Sequence, residues 1–373
     1  MTRPRVLVVG LGDTGVLSAI RLSRFTDVVA VSSKPEWFSG QELGMRLTRP
    51  QRWERDYRIG FSRFKGLDRV RVVHALATGL DDERRELCAR EPSGREVRER
   101  YDVLVVTTGV TNGFWRRGEL QSLAGLEASL HGAHERLARS DSIAVVGGGA
   151  AAVSVAANAA AAWPSTRVEL FFPGERALPH HHRRVWSHVR RRLHLLGVRV
   201  HPNHRAVLPQ GHEQITTGPV QWSTGQCDTP ADAVVWAVGR VRPNTGWLPR
   251  HLVDEDGFVR VTPALQSVAD PSLFAVGDVA ATDPLRTSAR NRGHALLARN
   301  VRAHLAGRAL EAYRPPRRRW GSVLGPQHDG LQVFAPDGRP FRFPSWSVDS
   351  VLMPWITRRG IYGGVRPPGR DRP

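Results

Sequence analysis

Two glycine-rich turns constrain this chain more than any other feature of its sequence. The first turn, residues 9–15, reads Val-Gly-Leu-Gly-Asp-Thr-Gly and follows the apolar residues 6–8. The second turn, residues 146–152, reads Val-Gly-Gly-Gly-Ala-Ala-Ala and follows the apolar residues 143–145. A buried strand, a tight glycine turn and a helix with open N-terminal amides form the usual site for a dinucleotide diphosphate. The sequence therefore predicts two dinucleotide sites in one chain, an arrangement suited to electron transfer.

Apolar runs that end in small residues extend this pattern. Residues 101–109 and 233–239 close the two glycine-turn units in the same way, and residues 273–278 end in Val-Gly-Asp. The repeat predicts an α/β fold with two Rossmann-like dinucleotide-binding domains, the second inserted into the first, and a small C-terminal β/α segment. The expected bounds are residues 1–115 and 246–312 for the first domain, 116–245 for the inserted domain and 313–373 for the C-terminal segment.

The cysteine count and the charge limit the classes of site and of partner that the chain could have. Cys88 and Cys227 are the two cysteines and lie far apart, which excludes a disulfide scaffold, a Cys-x-x-Cys redox pair and an all-cysteine metal site. The formal net charge is +19, and nearly all of the excess is arginine because Lys34 and Lys65 are the only lysines. A positive surface favours anionic partners. No nucleic-acid recognition motif accompanies the charge, so nucleic acid is not an expected partner.

The C-terminal segment carries aromatic, apolar and basic residues together. No apolar run approaches the roughly 20 residues that span a bilayer, so we expect a cytoplasmic protein, either free or held at the inner face of the membrane. The segment fits an interfacial anchor on anionic lipid, a unit packed on the first domain, or a dimer contact. The oligomeric state stays open. The residues concerned are Trp346, Met353, Trp355, Ile356, Arg358, Arg359 and Tyr362.

The order of these motifs resembles that of the pyridine-nucleotide-dependent flavoprotein reductases. The chain is most similar to the branch that contains apoptosis-inducing-factor-like proteins and ferroptosis suppressor protein and, more remotely, the type II NADH dehydrogenases. The resemblance covers residues 1–310 through specific motifs and residues 311–373 more loosely. It implies that FAD binds the first domain and that NAD(P)H, as co-substrate, binds the inserted one. The isoalloxazine would then lie between them.

The resemblance assigns FAD contacts residue by residue. Gly10 would permit the tight turn, Gly12 would let the backbone approach the diphosphate, and Gly15 would allow close helix packing. Asp278 resembles the family aspartate that hydrogen-bonds a ribityl hydroxyl, and Arg46 resembles an arginine that contacts FAD. The predicted FAD-binding residues are Gly10, Gly12, Asp13, Thr14, Gly15, Ser33, Lys34, Arg46, Ala77, Thr108, Gly109, Gly277 and Asp278.

The second turn would serve NAD(P)H as the first serves FAD. Catalytic side chains cannot be assigned, because in this family the cofactor carries the reaction and the protein supplies binding, orientation and electrostatics. The predicted NAD(P)H-binding residues are Gly147, Gly149, Ala150, Ala152, Ser154, Glu175 and Gly239.

Three positions depart from the family pattern. The second strand of the FAD domain usually ends in an acid for the adenosine ribose, whereas residues 31–34 read Val-Ser-Ser-Lys. Ser33 or Lys34 would take the ribose or a phosphate instead. Ser154 stands where relatives often have a glutamate near the nicotinamide. The second ribose position falls at residues 172–173, Phe-Pro, which supply no acid, with Glu175 and Arg176 just after. NADPH is therefore at least as well supported as NADH.

Two groups of polar residues could either have a function or simply be solvent-exposed. Adjacent histidines at 180–182 could suggest a metal, but no cysteine or carboxylate stands at ligand spacing, so a basic loop is the favoured interpretation and we expect no metal. Four charged residues that follow the flavin aspartate could position an acceptor, stabilise reduced flavin or simply be surface charge. These residues are Asp283, Arg286, Arg290 and Arg292.

The predicted function is that of an FAD-dependent NAD(P)H oxidoreductase. A hydride would pass from NAD(P)H to FAD, and the electrons would then pass to a second acceptor. Because the chain lacks a dithiol, a small-molecule acceptor of the quinone type is favoured. Two alternatives stay open: a reductase of a small iron–sulfur electron carrier, and a flavoprotein whose reduction switches its binding to DNA or to another protein.

Overall fold

The apolar runs of the sequence form buried parallel strands, and each glycine turn follows one of them. The computed structural model describes residues 3–40, 42–113, 115–238, 241–280, 293–314 and 321–369. The predicted site residue Gly239 and the charged residues Asp283, Arg286, Arg290 and Arg292 lie outside these ranges.

The secondary structure follows the chain in this order. The strands are β1 (Arg5–Val9), β2 (Asp27–Ser32), β3 (Trp37–Phe38), β4 (Arg58–Ile59), β5 (Val70–His74), β6 (Leu76–Asp81), β7 (Glu86–Arg90), β8 (Glu96–Arg100), β9 (Val103–Val106), β10 (Val110–Thr111), β11 (Ser142–Val146), β12 (Arg167–Phe171), β13 (Arg199–His201), β14 (Ala233–Trp236), β15 (Arg242–Pro243), β16 (Leu273–Ala275), β17 (Pro326–Gln327), β18 (Gly330–Phe334) and β19 (Pro340–Phe343). The helices are α1 (Asp13–Leu22), α2 (Leu43–Thr48), α3 (Pro50–Tyr57), α4 (Leu123–Ala138), α5 (Ala150–Ala162), α6 (Arg183–Leu195), α7 (Gly293–Leu305), α8 (Ser345–Ser347) and a π-helix (Val348–Ile361).

The first sheet has the order β16-β9-β1-β2-β5 and all of its pairs are parallel. Apolar residues of α1 and α7 cover one face, and the antiparallel unit β6–β8 together with Trp247 and Leu252 covers the other. Burial on both faces explains why these strands read as continuous apolar runs rather than as alternating ones. Strands β1 and β11, which precede the two glycine turns, are both buried on both faces.

The second sheet has the order β13-β12-β11-β14, again all parallel. Helices α5 and α6 pack on one face of it. The sheet lies within the stretch of chain between β9 and β16, two neighbouring strands of the first sheet. This topology confirms the predicted fold class, an α/β protein with one Rossmann-like unit inserted in another.

The two units meet where α2 packs on α5. A side chain at Gly44 of α2 would overlap the backbone carbonyl oxygen of Ser154, so the helices approach more closely than any other residue would allow. Next to this contact, Asn158 Oδ1 accepts hydrogen bonds from Arg49 (2.8 Å) and Gln327 (3.2 Å). Its Nδ2 donates to the Leu324 carbonyl at 2.9 Å. Asn158 thereby joins α5 to the first unit and to the C-terminal segment.

The C-terminal segment packs on both units. Val323, Leu324 and Phe334 belong to the core of the second unit, and Asp329 pairs with Arg192 of α6 at 3.2 Å. The chain then returns along the first unit, where Arg366 pairs with Asp68. Packing against the two units is therefore one role of this segment.

We expect Gly44→Ala to destabilise the protein because its new methyl group has no space between α2 and α5. Overpacking against backbone atoms should lower the free energy of unfolding by about 2–4 kcal/mol. Gly132→Ala is the matched control, since Gly132 is an exposed residue inside α4 with nothing near its added methyl group. That change should raise the free energy of unfolding by about 0.5–1 kcal/mol. Thermal unfolding curves test both, and equal melting temperatures for the two variants would contradict the close contact.

Candidate functional site

The first glycine turn leaves the start of α1 open. Gly10 has a φ of +97°, and a side chain there would lie 2.6 Å from the Thr107 carbonyl oxygen. Gly12 is the N-cap of α1, no side chain caps the helix, and nothing lies within 4 Å of where its Cβ would be. Uncapped amides at a helix N-terminus bind anions through their N–H groups and the helix dipole.

A cleft opens in front of this turn. It encloses about 1090 Å³ of empty space, including solvent at its mouth. Of the predicted FAD-binding residues, all but Gly15 and Arg46 line it. The lining members are Gly10, Gly12, Asp13, Thr14, Ser33, Lys34, Ala77, Thr108, Gly109, Gly277 and Asp278.

Gly15 and Arg46 lie behind the cleft wall. A side chain at Gly15 would overlap the Gly10 carbonyl oxygen, so Gly15 serves close helix packing. The buried Arg46 donates a hydrogen bond to the Trp115 carbonyl at 2.8 Å, and its guanidinium carbon lies 4.9 Å from the centre of the Trp53 ring. Burial lowers the pKa of Arg46 to about 10. A direct contact between Arg46 and FAD stays a prediction.

Three polar atoms in the cleft residues have no hydrogen-bond partner within the described ranges. They are Thr14 Oγ1, Thr108 Oγ1 and Asp278 Oδ1, and all three are buried. Asp278 Oδ2 accepts from Arg116 at 2.8 Å, so its other oxygen is the one left over. Buried polar atoms without partners are costly. A ligand rich in hydroxyl and phosphate groups, such as FAD, would satisfy them, and the residues therefore fit the cofactor.

Lys34 brings a positive charge to the place where the ribose acid is missing. It lies half-buried just after β2, and the Ser32 hydroxyl holds its backbone by donating to the Lys34 carbonyl at 2.8 Å and accepting from the Lys34 amide at 3.1 Å. Burial lowers the pKa of Lys34 to about 8, with smaller contributions from Arg46 and Arg116, and Asp13 opposes the shift. The lysine therefore remains mostly charged at neutral pH. An ammonium group here suits a phosphate or a ribose oxygen.

Sequence motifs did not identify two residues that shape the cleft. Arg116 reaches Asp278 from the segment that follows β10, and Asn244 follows β15. Asn244 donates to the Thr108 carbonyl at 3.0 Å and accepts from the Thr111 hydroxyl at 2.7 Å. Both residues belong to irregular connections between the two units. No spacing rule predicts where such connections lie in space.

The second glycine turn has the same local geometry as the first. Gly147 has a φ of +144°, and Gly149 is an uncapped N-cap with nothing within 4 Å of where its Cβ would be. Ala150 is exposed and Ala152 is fully buried. Ser154 is 4% exposed and donates to the Leu324 carbonyl at 3.3 Å, beneath α2 and the C-terminal segment. A nicotinamide contact for Ser154 stays a prediction.

The loop after β12 is basic. Glu175 is exposed, while Arg176 donates to the His181 and Pro179 carbonyls at 3.1 and 2.8 Å. His182 Nδ1 accepts from the Arg184 amide at 3.2 Å and so caps α6. Burial lowers the pKa of His181. In the part of the chain that the structure describes, no three His, Cys, Asp or Glu side chains converge as a metal site would require.

Large apolar side chains are exposed at the end of the chain. We call this set the tail patch: Trp346, Val351, Trp355, Ile356 and Ile361. Arg359 lies 5.0 Å above the Trp355 ring. Among the helices described, none has the length and hydropathy of a membrane span.

Comparisons with known proteins agree with this geometry. The chain is 27% identical to the oxidoreductase ptaL of Pestalotiopsis fici over 305 residues, covering 78% of this chain and 77% of the relative. Its fold matches the sulfide:quinone oxidoreductase of Aquifex aeolicus with a TM-score of 0.73 at 14% identity, covering 98% of this chain and 93% of that one. It also matches an NADPH-bound, engineered form of the Lactobacillus brevis water-forming oxidase with a TM-score of 0.62 at 18% identity, over 88% and 74%.

The family assignment rests on the greater part of the sequence. The model of the pyridine nucleotide-disulphide oxidoreductase family matches residues 4–300, which include both glycine turns and Asp278. FAD and NAD(P)H are the cofactors of this family, as the sequence predicts. The chain belongs to the pyridine nucleotide-disulphide oxidoreductase family.

Proposed function

We propose that this protein takes a hydride from NADPH and passes the electrons to a quinone-type acceptor at a membrane surface. The observation that carries the proposal is the tail patch, since the chain leaves it through the buried Tyr362, which packs on Trp37 next to the cleft residue Phe38. Overall, NADPH, one proton and a quinone would give NADP⁺ and a quinol. When bound, FAD supplies the two-electron chemistry.

The residues of the chain bind and orient the cofactor. The α1 amides and the Lys34 ammonium would face the diphosphate, and Asp278 Oδ1 would accept from a ribityl hydroxyl. Arg116 would hold the Asp278 carboxylate in position through its 2.8 Å hydrogen bond. The second turn would place the dinucleotide donor against the same ring.

A small-molecule acceptor follows from the positions of the cysteines. Cys88 lies in β7 and Cys227 is exposed in the second unit, and neither lines the cleft. Electrons therefore have no dithiol through which to leave the flavin. A quinone accepts them without one.

The tail patch supports a membrane location for that acceptor. Trp346 and Trp355 are 67% and 58% exposed, and Arg359 lies over the Trp355 ring. Exposed indoles next to arginines bind the interface of anionic bilayers. Peripheral attachment would let a lipid-soluble quinone reach the protein without crossing water.

NADPH is favoured over NADH by the residues around the second turn. The engineered NADPH oxidase differs from its parent by five substitutions, of which one removes an aspartate and two introduce arginine. This chain has no acid at residues 172–173, while Arg183 and Arg184 are exposed at the start of α6. A second phosphate near that helix would find positive charge and no repulsion.

A second candidate is an NAD(P)H-dependent reductase of a small, acidic iron–sulfur carrier. The exposed arginines of α6, including Arg190 and Arg191, favour it because a positive face steers an acidic partner. Reduction of such a carrier that collapses with added salt, together with poor quinone turnover, would replace the first proposal with this one.

Anaerobic reduction followed by mixing with quinone tests the proposed reaction. NADPH should bleach the yellow protein, and a quinone should restore the colour in a stopped-flow experiment. Gly12→Val should fold but lose FAD, because its side chain would enter the space for the diphosphate. Gly149→Val should stay yellow but resist reduction by NADPH. Each variant is the other's control, and the two-site proposal fails if both behave like the unmodified protein.

We expect Trp355→Ser/Ile356→Ser to weaken binding to anionic vesicles by about tenfold or more, because two interfacial side chains are lost. Reduction of a long-chain quinone in those vesicles should fall in parallel, whereas a short-chain, water-soluble quinone should be reduced at the original rate. Leu195→Ser/Val268→Ser removes exposed apolar residues outside the tail patch and serves as the control. Unchanged vesicle binding in the first variant would argue against the membrane location.

We expect Arg183→Gln/Arg184→Gln to raise KM for NADPH by roughly tenfold and to leave KM for NADH nearly unchanged, since charge-assisted bonds to a phosphate would be lost. Arg190→Gln/Arg191→Gln removes the same charge from the same helix and is the matched control. Steady-state kinetics with both nucleotides measure the effect. Equal losses in the two double variants would mean that overall charge matters rather than a phosphate site.

A further inference from the structure

The segment that leads from β10 to α4 borders the FAD cleft through Trp115 and Arg116. Arg116 supplies the guanidinium that donates to Asp278 Oδ2 at 2.8 Å, and 31% of its side chain is exposed. A partly exposed arginine has many rotamers, so it keeps one orientation only where its backbone and its surroundings are fixed. The placement of Arg116 therefore depends on what holds the chain around it.

Both peptide groups next to Arg116 are held by hydrogen bonds. The Trp115 carbonyl belongs to the peptide group that precedes Arg116, and it accepts from Arg46 Nη1 at 2.8 Å. The Arg116 carbonyl accepts from the Asn112 amide at 2.9 Å. The Trp115 ring is buried in the same apolar core as Leu43 of α2. Helix α2 therefore holds this point of the segment both through a buried arginine and through apolar packing.

The Arg116 side chain is confined by Gly40 as well. A Cβ at Gly40 would lie 2.9 Å from Arg116 Nε and 3.3 Å from its Cζ, so the guanidinium lies against the Gly40 backbone. The three atoms nearest to that Cβ all belong to Arg116. Gly40 thus leaves the space through which Arg116 reaches Asp278.

Arg46 holds the segment from behind the cleft wall. It is 7% exposed, and its guanidinium carbon lies 4.9 Å from the centre of the Trp53 ring. A guanidinium that stacks on an aromatic ring and donates to a carbonyl oxygen has a well-defined position. Arg46 is therefore a rigid support for the peptide group that carries Arg116.

We propose that Arg46 is a positioning residue for FAD, which acts through the Trp115 carbonyl rather than by contact with the cofactor. That carbonyl places Arg116, and Arg116 holds Asp278 with its Oδ1 atom available to the ribityl chain. The inference rests on the proposed role of Asp278 toward FAD. Because α2 also packs on α5 at Gly44, one helix would set both the arrangement of the two units and the shape of the FAD site.

The test is the dissociation constant for FAD, measured by flavin fluorescence without NADPH or quinone. Arg116→Met should raise it by about tenfold, because Asp278 loses a charge-assisted hydrogen bond. Arg46→Met should raise it by about fivefold, because Arg116 is then no longer held in one orientation. In an Arg116→Met background, Arg46→Met should change the constant by less than about twofold, since the side chain through which it acts is gone.

Arg49→Met is the matched control. Arg49 is the C-cap of α2 and also donates to a backbone carbonyl, that of Pro326 at 2.6 Å, but this carbonyl belongs to the C-terminal segment. Its loss should lower the melting temperature and leave the FAD constant unchanged. An equal rise of the FAD constant in Arg49→Met and Arg46→Met would make the effect one of stability alone and would overturn the proposal.

Gly40→Ala moves Arg116 without altering Arg46. Its methyl group should displace the guanidinium and raise the FAD constant by about threefold or more, and by less than about twofold in the Arg116→Met background. An unchanged constant in Gly40→Ala would mean that the position of Arg116 does not matter for FAD. If Arg46→Met does not fold, Arg46→Lys replaces it in the same cycle, with an expected rise of about threefold because one donor is retained.

The cycle also separates positioning from direct contact. Losses that add in the Arg46→Met/Arg116→Met double variant are what a direct contact between Arg46 and FAD predicts, and they would overturn the proposal. A rise in Arg116→Met without one in Arg46→Met would overturn this inference and leave the proposed function in place. If Arg116→Met leaves the constant unchanged, the proposed role of Arg116 toward Asp278 fails too.

Discussion

The contact of α2 with α5 determines how the two nucleotide-binding units face each other. At Gly44 the helices touch through backbone, and beside it the buried Asn158 bonds to Arg49 of the first unit and to Gln327 and Leu324 of the C-terminal segment. A buried amide that uses its bonding groups in this way favours one arrangement over its neighbours, since any slip would leave a donor or acceptor unpaired. The packing of the core therefore fixes the distance between the two glycine turns. It does not depend on a flexible linker.

The FAD cleft is prepared for a ligand. Its uncapped helix, the Thr14, Thr108 and Asp278 atoms that lack a partner among the described residues, and its half-buried Lys34 all represent costs that a diphosphate and a ribityl chain would reduce. A ligand that binds only the folded chain also stabilises the fold by mass action. The residues that would bind FAD would therefore also determine how much bound FAD stabilises the fold. The second turn has the same backbone but fewer unsatisfied groups, as suits a co-substrate that must leave.

The C-terminal segment has two physical roles in one stretch of chain. Its inward residues, Leu324 and Tyr362, pack on the two units, and its outward residues form the tail patch. The mixture of the two kinds of side chain along the segment makes its sequence pattern ambiguous. Packing accounts for the buried residues, and the exposed residues are the ones that the membrane proposal uses.

The sequence alone determined the fold class, the cofactors and the family, because strand, turn and helix follow one another locally and each glycine is required by its own backbone geometry. Most of the residues that it predicted for FAD do line the cleft, since the ends of parallel strands meet at one edge of a sheet. The tertiary structure decided what lies far apart in the chain. It placed Arg46 behind the cleft wall, covered Ser154 with α2, brought Arg116 to Asp278 and packed Tyr362 on Trp37. Irregular connections and a chain terminus carry no periodicity, so only the packing of the whole molecule fixes where their side chains lie.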